Sequence, residues 1–247
     1  MPVYVITGTR AGIGLEHVRQ LSQAASNTVF ALVRSAAGDL ATLKSIQQTA
    51  AAKVHILECD VSSESSIAAL PDRIREASGD ANIKINTLIN NAAVLHAREQ
   101  TALTLTPAAL NDHMRSNLLG PALVLQALLP LLAPGARVAN ISSGAGSLTL
   151  LATGRITPEI TPYSLSKAAL NMLTVHQQAQ LRARSGGGGS GIVVVAVDPG
   201  HVKTEMGGPN AVVEVEDSAR AVLKLVEGLT ERDGGKFWLY NGEELPW

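Results

Sequence analysis

The apolar run Val3-Tyr4-Val5-Ile6 passes directly into Thr7-Gly8-Thr9-Arg10-Ala11-Gly12-Ile13-Gly14, and a helical pattern from Ile13 to Ala25 follows. A short, uninterrupted apolar run is the mark of a strand buried on both faces. Three glycines between that strand and a helix let the backbone turn tightly. They also leave room for an anionic group at the N–H donors of the helix N-terminus. A chain that begins this way is committed to covering both faces of a sheet.

The rest of the sequence repeats the unit. Strand patterns recur at Thr28–Val33, Val54–Glu58, Ile85–Ile89, Arg137–Ser142, Ile192–Val197 and Lys236–Tyr240. Between them lie helical patterns at Leu40–Ala51, Ser63–Ser78, Pro107–Asn117, Leu118–Leu132, Thr161–Ala183 and Ser218–Leu229. Repeated βα alternation means a parallel sheet with helices on both faces, a doubly wound α/β fold. No composition shift marks a boundary, so residues 1–247 are expected to form a single domain. The Gly/Ser-rich segment 185–191 resembles a linker, but a helix precedes it and a core strand follows. It is therefore read as a surface loop, natural or engineered.

Hydrophobic residues make up 46% of the chain and aromatics only 3%, so the core is built from Ala, Val, Leu and Ile. Lys and Arg (20) balance Asp and Glu (21), which argues against nucleic acid as a partner. The lone Cys59 supports neither an intrachain disulfide nor a cysteine metal site, and the six histidines show no ligand spacing, so no metal is expected. Met1-Pro2 leads straight into a strand, without a secretory pattern, and no apolar run is long enough to span a membrane. These features point to a cytoplasmic protein.

Chemistry enters with Tyr163-Ser-Leu-Ser-Lys167. Residues four apart stack on one helix face, and an ammonium beside a phenol favours the phenolate, so the pair reads as a proton donor or acceptor with a lowered tyrosine pKa. Together with a Gly-rich turn suited to a dinucleotide, the economical reading is hydride transfer at a carbonyl. The glycine spacing, Gly8-x-x-x-Gly12-x-Gly14, departs from the Gly-x-Gly-x-x-Gly of most dinucleotide-binding folds.

Five motifs occur in one order: Thr-Gly-x-x-x-Gly-Ile-Gly from Thr7, Asn90-Asn91-Ala92, a serine at 142 or 143, Tyr163-x-x-x-Lys167, and Pro199-Gly200-x-Val202-x-Thr204. In this combination the chain resembles the short-chain dehydrogenase/reductase family. Pro199 to Asn210 and the ending Gly242 to Trp247 resemble its C-factor and sniffer-like carbonyl reductases. The resemblance implies a Rossmann-type sheet of seven strands in the order 3-2-1-4-5-6-7.

It implies residue roles as well. Tyr163 would be the general acid, and Lys167 would lower its pKa and hold the nicotinamide ribose. Ser143, preferred to Ser142 because it precedes x-x-Gly, would orient the carbonyl. Asn117 would hold a water in the proton relay. Gly8, Gly12, Ile13 and Gly14 would bind the cofactor at the glycine turn. Asp60 and Val61 would meet the adenine, and Asn91 and Ala92 would support the cofactor from the fourth strand. Pro199, Gly200, Val202 and Thr204 would line the nicotinamide. The segment Leu148–Pro162, longer than is common in the family, is expected to form a loop over the substrate pocket.

The second strand ends in Leu32-Val33-Arg34-Ser35 without the acid that would favour NAD. Arg34, with Arg10 in the Gly turn, would instead pair with a 2′-phosphate, so NADP(H) is the expected cofactor. The expected activity is NADPH-dependent reduction of a ketone or aldehyde, a small-molecule carbonyl substrate, by a homodimer or homotetramer. Two alternatives stay open: an NAD-dependent alcohol dehydrogenase, and a dinucleotide sensor without turnover.

Overall fold

A computed structural model describes residues 1–184 and 191–247. The Gly/Ser-rich segment expected as a surface loop lies, but for Gly191, outside the described residues.

Seven strands form one parallel sheet in the order β3-β2-β1-β4-β5-β6-β7. They are β1 (Val3–Thr7), β2 (Thr28–Val33), β3 (Lys53–Glu58), β4 (Ile85–Asn90), β5 (Leu132–Ile141), β6 (Val193–Asp198) and β7 (Phe237–Leu239). This is the order the family resemblance implied. The continuous apolar strands divide their side chains by the two-residue period. Ile6, Val29, Ala31, Val33, Val195 and Val197 enter one core. Val5, Phe30, Leu32, Leu88, Val138 and Val194 enter the other.

Helices α1 (Gly12–Leu21), α2 (Ala41–Thr49) and α9 (Val215–Gly228) close the first face through Val18, Leu43, Ile46, Val222 and Val226. Helices α4 (Leu70–Ser78) and α6 (Gly120–Leu128) close the second through Ile74, Val124 and Leu128, and the long α8 (Thr161–Arg184) adds Leu181. The remaining helices are α3 (Glu64–Ala68), α5 (Pro107–Met114) and α7 (Leu148–Ala152).

Departures from the expected elements have local causes. The helix expected over Ser63–Ser78 is two helices, because Pro71 has no N–H to bond the carbonyl four residues back. Pro121 has the same effect one layer on. The expected Leu118–Leu132 helix opens with a π-turn, Arg115–Leu119, then runs as α6 and tightens into a 3₁₀ turn at Leu129–Leu131. Strand β5 starts at Leu132 rather than Arg137, through a bulge that carries Gly135 at φ +75°. Helix α9 begins at Val215, three residues earlier than Ser218, with Glu216 and Asp217 in its first turn. The segment Leu148–Pro162 is not all loop: Ser147 accepts from the Leu150 N–H and caps α7. None of the helices in the described residues is long and apolar enough to cross a membrane.

Candidate active site

The carboxyl ends of β1, β4, β5 and β6 bring the predicted residues together, and hydrogen bonds lock one loop to the next. Thr7 Oγ1 accepts from the Asn91 N–H at 3.0 Å and the Ala92 N–H at 2.9 Å. Asn91 Nδ2 donates back to the carbonyls of Thr7 (3.0 Å) and Gly8 (3.2 Å). A Cβ at Gly14 would stand 2.5 Å from Asn91 Nδ2, and one at Gly8 would stand 2.7 Å from Ala92 Cα. Gly8 and Gly12 also have positive φ, +73° and +59°. The glycines are therefore fixed by contact and by conformation. Thr9 N–H bonds the Leu32 carbonyl at 3.0 Å, tying the turn to β2.

Arg10 and Arg34 stand exposed at this end of the sheet and form no ion pair among the described residues. Asp60 is drawn into its own turn: Oδ1 accepts from the Ser62 N–H at 2.9 Å and the Ser62 hydroxyl at 2.7 Å. Val61 touches the start of α6, where a Cβ at Gly120 would lie 2.9 Å from the Val61 carbonyl oxygen. Ile13 is half-buried in the first turn of α1.

Tyr163 and Lys167 sit on one face of α8, buried, with Lys167 Nζ 5.4 Å from the phenol ring centre. Lys167 Nζ donates to the Ile141 carbonyl at 2.7 Å, so β5 anchors it. Burial lowers its pKa to about 7, and the charge of Asp198 works in the opposite direction. The phenol contradicts the expected downward shift. Burial first, then the charge of Asp198, hold the Tyr163 pKa above its ordinary value, while a hydrogen bond with Ser143 and the charge of Arg98 pull it down. Desolvation of the buried phenolate is the largest of these effects.

The two candidate serines separate cleanly. Ser142 is buried and its hydroxyl donates to Asn171 Oδ1 at 2.6 Å, so its bonding is spent inside the fold. Ser143 is half-buried and its hydroxyl faces Tyr163.

Asn117 lies in the π-turn, 0% exposed. Its Oδ1 accepts from the Val94 N–H at 2.8 Å, and its Nδ2 donates to the Val94 carbonyl (3.0 Å) and Ser166 Oγ (3.0 Å). The amide thus pairs like a strand residue with Val94 and ties that loop to α8.

The loop after β6 carries the last motif. Gly200 has φ +83°, and a Cβ there would meet Tyr240 Cε1 at 2.8 Å. The Pro199 carbonyl accepts from the Ser218 hydroxyl at 2.6 Å. Val202 is buried and bridges to Val213, and Thr204 Oγ1 accepts from the Gly207 N–H at 3.1 Å. A Cβ at Gly12 would reach Thr204 Cγ2 at 3.3 Å, so this loop closes onto the Gly turn. A cavity of about 530 Å³ opens beside it, lined by Gly12, Arg19, Lys203 and Thr204 among others.

Three groups escaped the sequence reading. Asp198, the last residue of β6, accepts from the Gly144 N–H at Oδ2 and the Gly200 N–H at Oδ1, both at 2.8 Å. Burial pushes its carboxyl upward against those two bonds and the charge of Lys167. An acid before Pro-Gly reads as a turn residue, so nothing flagged it. His113 is fully buried, its ring edge-on to Tyr163 at 6.4 Å, with Nδ1 2.7 Å from the Ala109 carbonyl. Arg98, in the loop after β4, donates to the Met206 carbonyl. Ile156 lies against Gly144, which brings the segment after α7 onto the Ser143 loop. His201 is spent on its own loop, with Nε2 2.7 Å from the Gly207 carbonyl. Among the described residues, no three His, Cys, Asp or Glu side chains cluster as metal ligands.

Comparison with known proteins bears on this geometry. The family model described as short chain dehydrogenase matches residues 2–212. The C-signal protein of Myxococcus xanthus is 38% identical over 168 residues, which span 66% of this chain and 93% of that protein. The structure of NADPH-bound carbonyl reductase from chicken fatty liver superposes with a TM-score of 0.86 at 33% identity, covering 100% of both chains. Carbonyl reductase Sniffer of Drosophila melanogaster gives 0.88 at 26% identity, again over 100% of both chains.

Proposed function

Because the chain belongs to the short chain dehydrogenase family, we propose that it is an oxidoreductase that uses NADPH to reduce a ketone or aldehyde to an alcohol. The observation that carries this reading is the convergence of Ser143, Tyr163 and Lys167 at the end of β5, one loop away from the glycine cradle. The cradle fits a dinucleotide. Any Cβ at Gly8 or Gly14 would collide with the β4 loop, and the first turn of α1 presents its N–H groups there. Gly8, Gly12, Ile13 and Gly14 would hold the pyrophosphate. Asp60 and Val61 would flank the adenine, Asn91 and Ala92 would back the ring system, and Pro199, Gly200, Val202 and Thr204 would face the nicotinamide. Arg10 and Arg34 would bind the 2′-phosphate that separates NADPH from NADH. When bound, NADPH supplies the hydride.

The remaining steps belong to the protein. Ser143 donates a hydrogen bond to the substrate carbonyl oxygen and holds it against the phenol. Tyr163 delivers its proton to that oxygen as the alkoxide develops. Lys167, fixed by the Ile141 carbonyl, would hold the ribose of the bound cofactor, and its ammonium stabilises the phenolate left behind. Burial holds the Tyr163 phenol in its protonated form, the form that a proton donor needs, and this supports reading the activity as reduction. The similarity to two carbonyl reductases supports the same direction.

Cofactor oxidation tests the reading, with NADPH and NADH against a panel of diketones, quinones, aldehydes and cyclic ketones beside a Tyr163→Phe control. Turnover with NADPH that falls by about 10²–10⁴ in the control is expected. Tight NADPH binding with no turnover on any panel member would favour a dinucleotide sensor instead.

A further inference from the structure

Asp198 ends β6 between two loops that belong to different parts of the site. Its Oδ2 holds the N–H of Gly144, the residue after Ser143, and its Oδ1 holds the N–H of Gly200 in the Pro-Gly turn, each at 2.8 Å. The fit at Gly144 is close: a Cβ there would stand 3.0 Å from Oδ2. Asp198 is also paired along its backbone, its carbonyl accepting from the Tyr240 N–H at 2.8 Å. A carboxylate placed this way has four lone-pair directions and no donor of its own, so it is suited to receive both amides at once.

We propose that Asp198 is a positioning residue for the reductase reaction: its carboxylate pins the Ser143 loop and the Pro199-Gly200 turn to the end of β6 and so sets Ser143 against Tyr163. The role rests on the reductase reading above. An asparagine of the same shape can accept only one of the two amides, because its NH₂ group would face the other N–H.

The charge does further work. The groups that bear on this acid and its neighbours are Lys167 and Tyr163 from α8, His201 from the Pro-Gly loop, Arg98, which faces Tyr163 from the loop after β4, and His113 of α5, edge-on to Tyr163. A negative charge at Asp198 favours the ammonium on Lys167 and disfavours the phenolate on Tyr163. Both effects keep protons in place as pH rises. Whichever of the two groups ends reduction at high pH, neutralising Asp198 moves that limb to lower pH.

The experiment compares wild type, Asp198→Asn and Asp198→Glu in the full chain by two readouts. One is the pH profile of NADPH-driven carbonyl reduction, and the other is amide deuterium uptake in peptides containing Gly144 and Gly200. Asp198→Asn is expected to lower kcat about ten-fold, a loss equivalent to one buried amide left unpaired. KM is expected to change less, the alkaline limb to move to lower pH, and exchange to speed up in the two loops. Asp198→Glu keeps the charge and alters the clamp, so kcat should fall while the limb stays. That variant carries the test if Asp198→Asn does not fold, and a wild-type kcat in it would overturn the proposal. Unchanged exchange in Asp198→Asn overturns the clamp whether or not any substrate turns over. Faster exchange with an unmoved limb makes Asp198 a purely structural residue and also overturns the role. Absence of turnover in wild type would count against the reductase reading alone.

Discussion

Replacing Asn117 by alanine should cost stability as much as activity, because its amide is fully committed inside the fold. Three hydrogen bonds disappear: Val94 N–H to Oδ1 at 2.8 Å, Nδ2 to the Val94 carbonyl at 3.0 Å and Nδ2 to Ser166 Oγ at 3.0 Å. Each is worth about 0.5–1.5 kcal/mol net, and Val94 is left with both backbone groups unpaired beside a buried void. A loss of about 2–4 kcal/mol follows. In a chain of this length each kcal/mol lowers Tm by about 2–4 °C, so a fall of about 5–15 °C is expected by calorimetry or circular dichroism. Ser166 also donates to the Tyr163 carbonyl at 2.7 Å, so the slack reaches the first turn of α8 and reduction of any substrate should weaken with it. Asn117→Asp should be at least as destabilising as alanine, since it would bury a carboxylate and turn an oxygen onto the Val94 carbonyl that Nδ2 now pairs with. If Asn117→Ala melted within about 2 °C of wild type, the amide would carry no such structural share and this reasoning would be refuted.

Three further outcomes test other parts of the site. Arg34→Ala should raise the KM for NADPH by about 10- to 100-fold, the worth of a charge-assisted hydrogen bond, and leave NADH kinetics nearly unchanged; equal losses with both cofactors would remove Arg34 from the 2′-phosphate. His17 is fully buried with neither ring nitrogen paired among the described residues, and its pKa is lowered to about 4 by burial. The unfolded chain therefore binds the extra proton between pH 6.5 and 4, stability is lost as pH falls through that window, and His17→Leu should flatten the loss and raise stability by about 1–3 kcal/mol. Lys167, with a pKa of about 7 in the fold against its ordinary 10.5, binds fewer protons folded than unfolded over that interval, so stability should rise with pH from 7 towards 10.5. Lys167→Met should remove that slope in Tm measured at successive pH values, and an unchanged slope would assign it to other groups.

The sheet and the glycine cradle were legible because they are written in residue types with one physical use. Apolar β-branched runs bounded by turns fix buried parallel strands, and alternate residues of Val193–Asp198 do go to opposite cores. Gly8 and Gly14 mark close approach because no side chain fits there. Helix interruptions were less legible. Pro71 and Pro121 were visible, but whether a proline ends a helix, breaks it or widens it to a π-turn depends on what the freed carbonyl packs against. The α7 segment was hidden by its shortness, although Ser147 before Leu-Thr-Leu-Leu was an available cap signal.

Protonation was the least legible property, and the reason is general to sites of this construction. The spacing of Tyr163 and Lys167 indicates that they are neighbours, but the sign of the tyrosine shift is decided by burial and by an acid at the end of β6, thirty-one residues beyond Lys167 in the chain. A pair motif reports a distance, whereas a pKa sums over every dipole and charge that the fold brings within reach. The same carboxylate that raises Tyr163 also favours charge on Lys167, so the two members of the motif respond to Asp198 in the same direction, each retaining its proton. A lone Tyr-x-x-x-Lys pair would set the two against each other, the ammonium favouring the phenolate. Burial and the charge of Asp198 together favour a neutral phenol in the resting site, which in the proposed reduction is the state from which a carbonyl oxygen would be protonated.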